Sequence, residues 1–252
     1  MRGYGQYCPV ALGAEVLAER WTPIIIRNLM IGCRKFGEVL DGAPGLPRSV
    51  LSQRLRRLEA YGVVTRKPGP GGPVYQLTEA GNELGEVCLA LGAWGARWRE
   101  LLPAHIDPYL ALWMLTRLIK PEGLPQDRIV VRFDLTDQSN PSRYWVIATR
   151  RGNEVCVRPP GFDEDGIVTT DAQWLVRWHT GTVSLGAAQK AGGMTVVASP
   201  WLARTLSQWG RLSPFADISR ATAAEAAHRK IPGSQPARFP PAIARRPRTP
   251  RS

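Results

Sequence analysis

Four arginines, Arg48, Arg54, Arg56 and Arg57, fall within LPRSVLSQRLRRLEAYGVV at residues 46–64, and Glu59 is the one acid among them. Leu51, Leu55 and Leu58 in the same stretch recur at helical spacing, so one face of a helix should be buried. With Leu51 at the centre of that face and 100° per residue, Ser49, Gln53 and Arg56 fall near the opposite pole, with Ser52 and Arg57 beside it. A solvated helix face normally mixes its signs, and this one does not. Arg, Gln and Ser are side chains that hydrogen-bond base edges in a major groove. The spacing therefore marks Ser49, Ser52, Gln53 and Arg56 as candidate base readers and Arg48 and Arg57 as candidate phosphate clamps at the margins of the face. Arg54, 60° from the leucine stripe, is expected to lay its stem against the domain.

The elements that must position this helix are legible around it. Val10, Gly13, Ala14, Leu17, Ala18 and Trp21 form one apolar stripe and predict a first helix. Thr22-Pro23 reads as an N-cap followed by a first-turn proline, opening a second helix over 24–31 that stops at Gly32. Phe36, Val39 and Leu40 predict a short third helix, and DGAPGLP at 41–47 must be a turn because it holds two glycines and two prolines. Pro47 can then open the arginine-rich helix. Past Gly62, two β-prone runs around PGPGGP predict a hairpin with Arg66 and Lys67 at its shoulder. Thr78 can cap a long helix carrying Leu84, Val87, Cys88, Leu91, Trp94 and Trp98 on a broad apolar face. Helix, helix, helix-turn-helix, hairpin, helix is the order of a winged helix-turn-helix. In that frame Arg34, Lys35, Arg66 and Lys67 join Arg48 and Arg57 as candidate DNA-phosphate contacts.

Across residues 8–67 the chain also resembles the HxlR-type transcriptional regulators. The resemblance is carried by Cys8-Pro9, Trp21-Thr22, Lys35-Phe36-Gly37-Glu38 and the run from Leu51 to Gly62, with YQLTEAG at 75–81 after the wing. It covers about the first 98 residues and implies a DNA-binding homodimer whose interface is made by the first and last helices of the domain. Two departures stand out. Leu46-Pro47 gives the recognition helix no polar N-cap, a loss of about 1 kcal/mol unless packing compensates. The wing tip PGPGGP is stiff and uncharged, so phosphate contact must come from its shoulders.

Cys8 precedes Pro9 and so stands at a helix N-terminus, where the macrodipole favours a thiolate; that placement suits a redox or electrophile sensor. The plainer alternative is a small residue at a dimer interface. Cys33 has no comparable placement, and Cys88 and Cys156 read as core. The four cysteines form no C-x-x-C and the three histidines are scattered, so neither a disulfide framework nor a zinc site is expected.

From residue 102 the texture changes. Alternating runs at 129–135, 144–149, 154–157 and 167–170 predict a small antiparallel sheet, followed by helices at 174–178, 184–191 and 200–209 with a strand at 194–198 before the last. VVRFDLTD, RYWVIATRRGNEVCVRPPGF and TGTVSLGAAQKAGGMTVVASPWLARTLSQW resemble the sterol-carrier-protein-type fold, with Gly181, Ala188 and the strand from Met194 at the matching places and Gly193 where that family has lysine. The resemblance implies an apolar tunnel for a lipid-like small molecule. Phe133, Trp145, Trp174 and Trp178 are then candidate pocket residues, or else simply core. Asp163, Glu164 and Asp165 read as a solvated turn rather than as metal ligands, and no phosphate loop, nucleophile elbow or H-E-x-x-H motif occurs.

The net charge of +12 sits at the two ends. Residues 1–98 hold 12 basic against 8 acidic side chains, residues 99–219 hold 13 against 12, and residues 220–252 hold 8 against 1. The fold class expected is α+β in three parts: a winged helix-turn-helix domain over 1–101, a sterol-carrier-like domain over 102–219, and a disordered Pro/Arg-rich tail over 220–252 whose Arg245, Arg246, Arg248 and Arg251 could add non-specific affinity. The expected function is a cytoplasmic, non-enzymatic, sequence-specific regulator that binds double-stranded DNA as a homodimer, with no cofactor and no membrane segment, and with an apolar small-molecule effector for its second domain. A thiol sensor acting through Cys8 and a lipid-binding carrier are the alternatives.

Overall fold

The computed structural model describes residues 3–120, 122, 124 and 126–228. The first part of the chain runs α1 (Pro9–Leu17), α2 (Thr22–Met30), α3 (Phe36–Asp41), α4 (Arg48–Ala60), β1 (Val64–Lys67), β2 (Val74–Leu77) and α5 (Glu79–Trp98). β1 and β2 pair antiparallel, Val64 opposite Leu77 and Lys67 opposite Val74. A core of Ile25, Ile26 and Leu29 from α2, Val39 from α3, and Leu51, Leu55 and Leu58 from α4 holds the helices together, closed by Val63, Val64 and Tyr75 of the hairpin. This is the expected winged helix-turn-helix. Thr78 caps α5 as predicted, its Oγ1 accepting from the Gly81 N–H at 3.1 Å.

The first helix is shorter than its stripe. It stops at Leu17, and Trp21 takes a left-handed conformation (φ 79°) that a bulky residue rarely adopts. Trp21, not Thr22, is therefore the N-cap of α2, with Thr22 buried in the first turn and Pro23 behind it. Trp21 kept the helical spacing because it packs on the same core, so periodicity could not reveal the break. Pro47 likewise is the N-cap of α4 rather than its first residue, and no side chain caps that end.

The second part runs α6 (Pro108–Leu118), β3 (Arg128–Leu135), β4 (Arg143–Thr149), β5 (Gly152–Cys156), β6 (Gly166–Thr170), α7 (Ala172–His179), α8 (Leu185–Lys190), β7 (Met194–Ala198), α9 (Pro200–Trp209) and α10 (Ala216–His228). Its five strands lie in the order β5-β4-β3-β6-β7, antiparallel except for the parallel pair β3/β6. Ile129, Val131, Phe133 and Leu135 alternate onto one face, where Leu112, Leu115, Leu175, Trp178, Leu202 and Leu206 from the helices cover them. Over the described residues the fold is α+β.

Two expectations are corrected here. Residues 220–228 belong to α10, whose Ala-rich sequence favours a helix and which packs against α5, so the reading of a disordered tail from 220 onward starts too early. The tail arginines Arg245, Arg246, Arg248 and Arg251 lie outside the described residues. The acidic run is no free turn. Glu164 accepts from Arg132 Nη1 at 2.7 Å and from Trp145 Nε1 at 2.8 Å, and Asp165 accepts from the Val130 N–H at 2.8 Å, which ties the β5–β6 loop down onto the sheet.

Candidate nucleic-acid interface

Leu51, Leu55 and Leu58 pin one side of α4 to the core, and this alone determines what the other side shows. Ser49, Gln53 and Arg56 are exposed and Ser52 is half-buried beside them. The four candidate base readers thus share the outward face. Arg48 is exposed at the helix start, its guanidinium 5.1 Å from the ring centroid of Phe36 on α3. Lys35, at the start of α3, and Arg66 and Lys67, on β1, are exposed too. Glu59, Arg66, Lys67, Pro68 and Pro73 line a shallow groove between the end of α4 and the wing.

Arg34 and Arg57 are placed differently from the expectation. Arg34 turns back through Nη1 to the carbonyls of Leu29 (2.7 Å) and Cys33 (3.1 Å), satisfying the open C-terminal end of α2. Arg57 donates to Glu19 at 2.5 Å and to the Tyr61 hydroxyl at 3.2 Å, and Arg54 pairs with the other oxygen of the same Glu19. Arg54 does pack against the domain as expected. Glu19 is the residue that sequence reasoning missed: it is the counter-charge for the arginine-rich helix, held in the turn after α1 and far from that helix in sequence, where no local pattern could announce it.

The turn before α4 is held by a buried polar set. Arg27 donates through Nε and Nη2 to Asn28 Oδ1 at 3.0 and 2.8 Å and through Nη2 to the Gly42 carbonyl, while Asn28 donates to the Val39 carbonyl at 2.8 Å. Glu38 accepts from the N–H groups of Arg34 (2.7 Å) and Lys35 (3.1 Å). Burial alone would raise the Glu38 carboxyl, but these two donors together with the Arg117 and Lys35 charges outweigh it and leave it below its ordinary value, ionised at neutral pH. Cys33, in the same core, is pushed up to about 11 by burial, so its thiol is inert.

Cys8 is the N-cap of α1, half-buried, with Pro9 as the first helical residue. The aromatic residues proposed as a pocket do not all come together. Phe133 and Trp178 pack in the core under the sheet with ring centroids 6.2 Å apart, and Trp174 lies at its edge under the Arg177 guanidinium. Trp145 is on the opposite face, because the register sets it across from Arg132 and not from Phe133. No group of three or more His, Cys, Asp or Glu suited to a metal occurs among the described residues, and none of their helices is long and apolar enough to cross a membrane.

A short helix, a tight turn, an outward polar helix face and a basic-shouldered wing define a winged helix-turn-helix transcriptional regulator. The HxlR-like helix-turn-helix family model matches residues 16–102, and the chain belongs to that family. It is 34% identical over 99 residues to an uncharacterized HTH-type transcriptional regulator of Synechocystis, a match spanning 38% of this chain and 73% of the relative. It is 33% identical over 106 residues to the uncharacterized regulator YvaP of Bacillus subtilis (40% and 96%), and 35% identical over 97 residues to the HTH-type transcriptional regulator YodB of the same organism (37% and 87%). Among solved structures, the reduced form of YodB matches at 32% identity over 38% of this chain and 97% of its own, with a TM-score of 0.33. The redox regulator HypR in its oxidized form matches at 32% identity over 37% and 100%, with a TM-score of 0.35.

Proposed function

We propose that this regulator reads a specific double-stranded DNA sequence as a homodimer. In this reading Ser49, Ser52, Gln53 and Arg56 face base edges in the major groove, and Lys35, Arg48, Arg66 and Lys67 hold phosphates. Two copies of α4 would reach half-sites about 34 Å apart, one turn of the duplex. The observation that carries the proposal is the division of α4: its three leucines are buried, and Ser49, Gln53 and Arg56 are turned outward together. The homodimer is supported by apolar surface left open on α1 and α5. No residue of α1 is buried, Val10 is 79% exposed, and Leu91, Trp94 and Trp98 on α5 are 51%, 52% and 63% exposed. The test is selection of duplexes from a random pool by the full chain, followed by Arg56→Ala. Discrimination between the selected and a random duplex should fall by about 1–3 kcal/mol for Arg56→Ala, whereas Lys67→Ala should weaken both alike. Equal losses on both duplexes for Arg56→Ala would refute the assignment of Arg56 to bases.

A second reading, thiol-based sensing, is favoured by the place of Cys8 at the N-cap of α1, on the helix expected at the dimer interface. Oxidant-dependent release of DNA that Cys8→Ser abolishes would support it. For the second domain, the strand-turn-strand entry, the helix holding Ala188 and the closing strand β7 fit the sterol-carrier-like expectation. The packed centre made by Phe133, Leu175 and Trp178 gives less support to an apolar effector held there. Titration of a fluorescent fatty ligand into the full chain decides this, since an effector site requires saturable binding.

A further inference from the structure

Helix α6 follows the winged domain in sequence, yet its two faces serve two cores. Leu112, Leu115 and Ile119 face the five-stranded sheet. About 100° or more around the helix from these, Trp113 is 3% exposed and belongs to the winged domain's own core, with Leu110 and Met114 packed around it. Its ring stands on the exit from α3. A Cβ placed on Gly42 would meet Trp113 Cη2 at 2.2 Å and Cζ3 at 2.6 Å, so the glycine is what permits the close approach. The same Cβ would meet Asn28 Nδ2 at 2.6 Å, and the Gly42 carbonyl accepts from Arg27, so the ring rests on the polar set that shapes this turn. Ala43 and Leu46 follow, buried, and α4 begins two residues later at Arg48. Arg117 lies 5.1 Å over the Trp113 ring, and the buried Thr116 hydroxyl donates to the Trp113 backbone carbonyl at 2.7 Å.

We propose that Trp113 is a positioning residue for DNA reading: a side chain of the second domain that sets the α3–α4 turn, and through it the angle of the recognition helix. The winged domain is then incomplete without α6, and DNA affinity is coupled to a domain that does not itself enter the groove. The proposal rests on the DNA-reading function above. Packed side chains of this size admit few arrangements, so removing the indole should shift the turn rather than merely soften it.

The experiment uses the full chain and a duplex that the wild-type protein selects from a random pool. Trp113→Leu is compared with Leu112→Ala, its neighbour, which is equally buried but faces the sheet. At a temperature where circular dichroism shows each variant folded, Trp113→Leu should lose tenfold or more in affinity. It should also shrink the effect of Arg56→Ala at least threefold in a double-mutant cycle, a readout that a general loss of stability leaves unmoved. Leu112→Ala should lower the melting temperature and leave affinity within twofold. Gly42→Ala, approaching the same contact from the turn, should behave like Trp113→Leu, and Trp113→Phe replaces Trp113→Leu if that variant does not fold. Wild-type affinity in folded Trp113 variants with an unchanged Arg56→Ala effect, or an equal loss from Leu112→Ala, overturns the proposal while leaving the DNA-reading function standing. A wild-type chain that selects no duplex removes that function and this proposal with it.

Discussion

Arg57 on the recognition helix is bound to Glu19 in the turn between α1 and α2, Nη1 to Oε1 at 2.5 Å. A helix that from its own sequence is four positive charges against one acid is therefore partly neutralised from elsewhere in the fold. Glu19 takes Arg54 and Arg57 together, both side chains largely covered, and so fastens α4 to the turn between α1 and α2. The charge left for a nucleic acid is Arg48 at the start of α4 and Arg56 on its outward face. This separates the arginines of one helix into two that hold the domain together and two that face a partner.

The salt dependence of DNA binding should register that separation. Each phosphate neutralised adds about 0.9 to the slope of log K against log salt. Arg48→Ala and Lys67→Ala should each lower the slope by about 1, whereas Arg57→Ala should leave it unchanged while lowering the melting temperature. Titrations of the selected duplex at several salt concentrations measure this. A slope that falls by one for Arg57→Ala would mean that the arginine leaves Glu19 for the backbone when DNA binds.

Assembly through α5 makes a second prediction. Gly92 is covered within the chain, since a Cβ there would meet Phe215 at 2.3 Å and α10 packs against this side of the helix. Leu91, Trp94 and Trp98 remain open. Trp94→Glu should therefore convert the proposed dimer to a monomer in sedimentation, with little effect on the melting temperature of the monomer, because the side chain is half exposed there already. DNA affinity should fall by a factor of about 100 or more, since two linked half-sites become one.

The thiols should differ sharply in reactivity. Cys33 has no exposed surface and burial pushes it up to about 11, so little thiolate exists at pH 7.5. Cys88 is raised by burial as well. Cys8 is half-buried at the end of a helix. Mass spectrometry after brief iodoacetamide treatment of the native chain should find label on Cys8 and none on Cys33, with Cys33 labelled only after denaturation. Early label on Cys33 would show that the α2–α3 core opens in the native state.

What the sequence revealed and what it concealed divide along physical lines. Residues at short spacing were legible: the leucines of α4, the Thr78 cap, and α9, whose Pro200–Trp209 bounds follow from its proline and its apolar face. Contacts across long separations were not. Glu19 meets Arg57 across 38 residues, Glu164 meets Arg132 across 32, and Trp113 enters the core of a domain that ended in sequence before it. A charge excess or an isolated tryptophan carries no information about which distant surface will satisfy it. The same holds for Trp145 and Phe133, which look equivalent as aromatics and are separated by the pleat into opposite faces.

His179 gives the pH dependence. It is buried on α7, its Nδ1 meets no hydrogen-bond partner among the described residues, and burial lowers it to about 4 from an ordinary value of 6.5. The unfolded chain therefore takes up a proton below about 6.5 that the folded chain refuses until about 4. Across this window the unfolded state binds more protons, so stability is fully present above 6.5 and declines as the pH falls toward 4. The loss from this group should be on the order of 3 kcal/mol in all, at about 1.4 kcal/mol per pH unit where the slope is steepest. Urea denaturation of the full chain at pH 7, 6, 5 and 4.5 should show this decline. His179→Phe, which keeps an aromatic ring in the same space and cannot titrate, should be flatter over the same range. Identical pH profiles for the two proteins would show that the imidazole is solvated or paired in solution and that its burial does not hold it neutral.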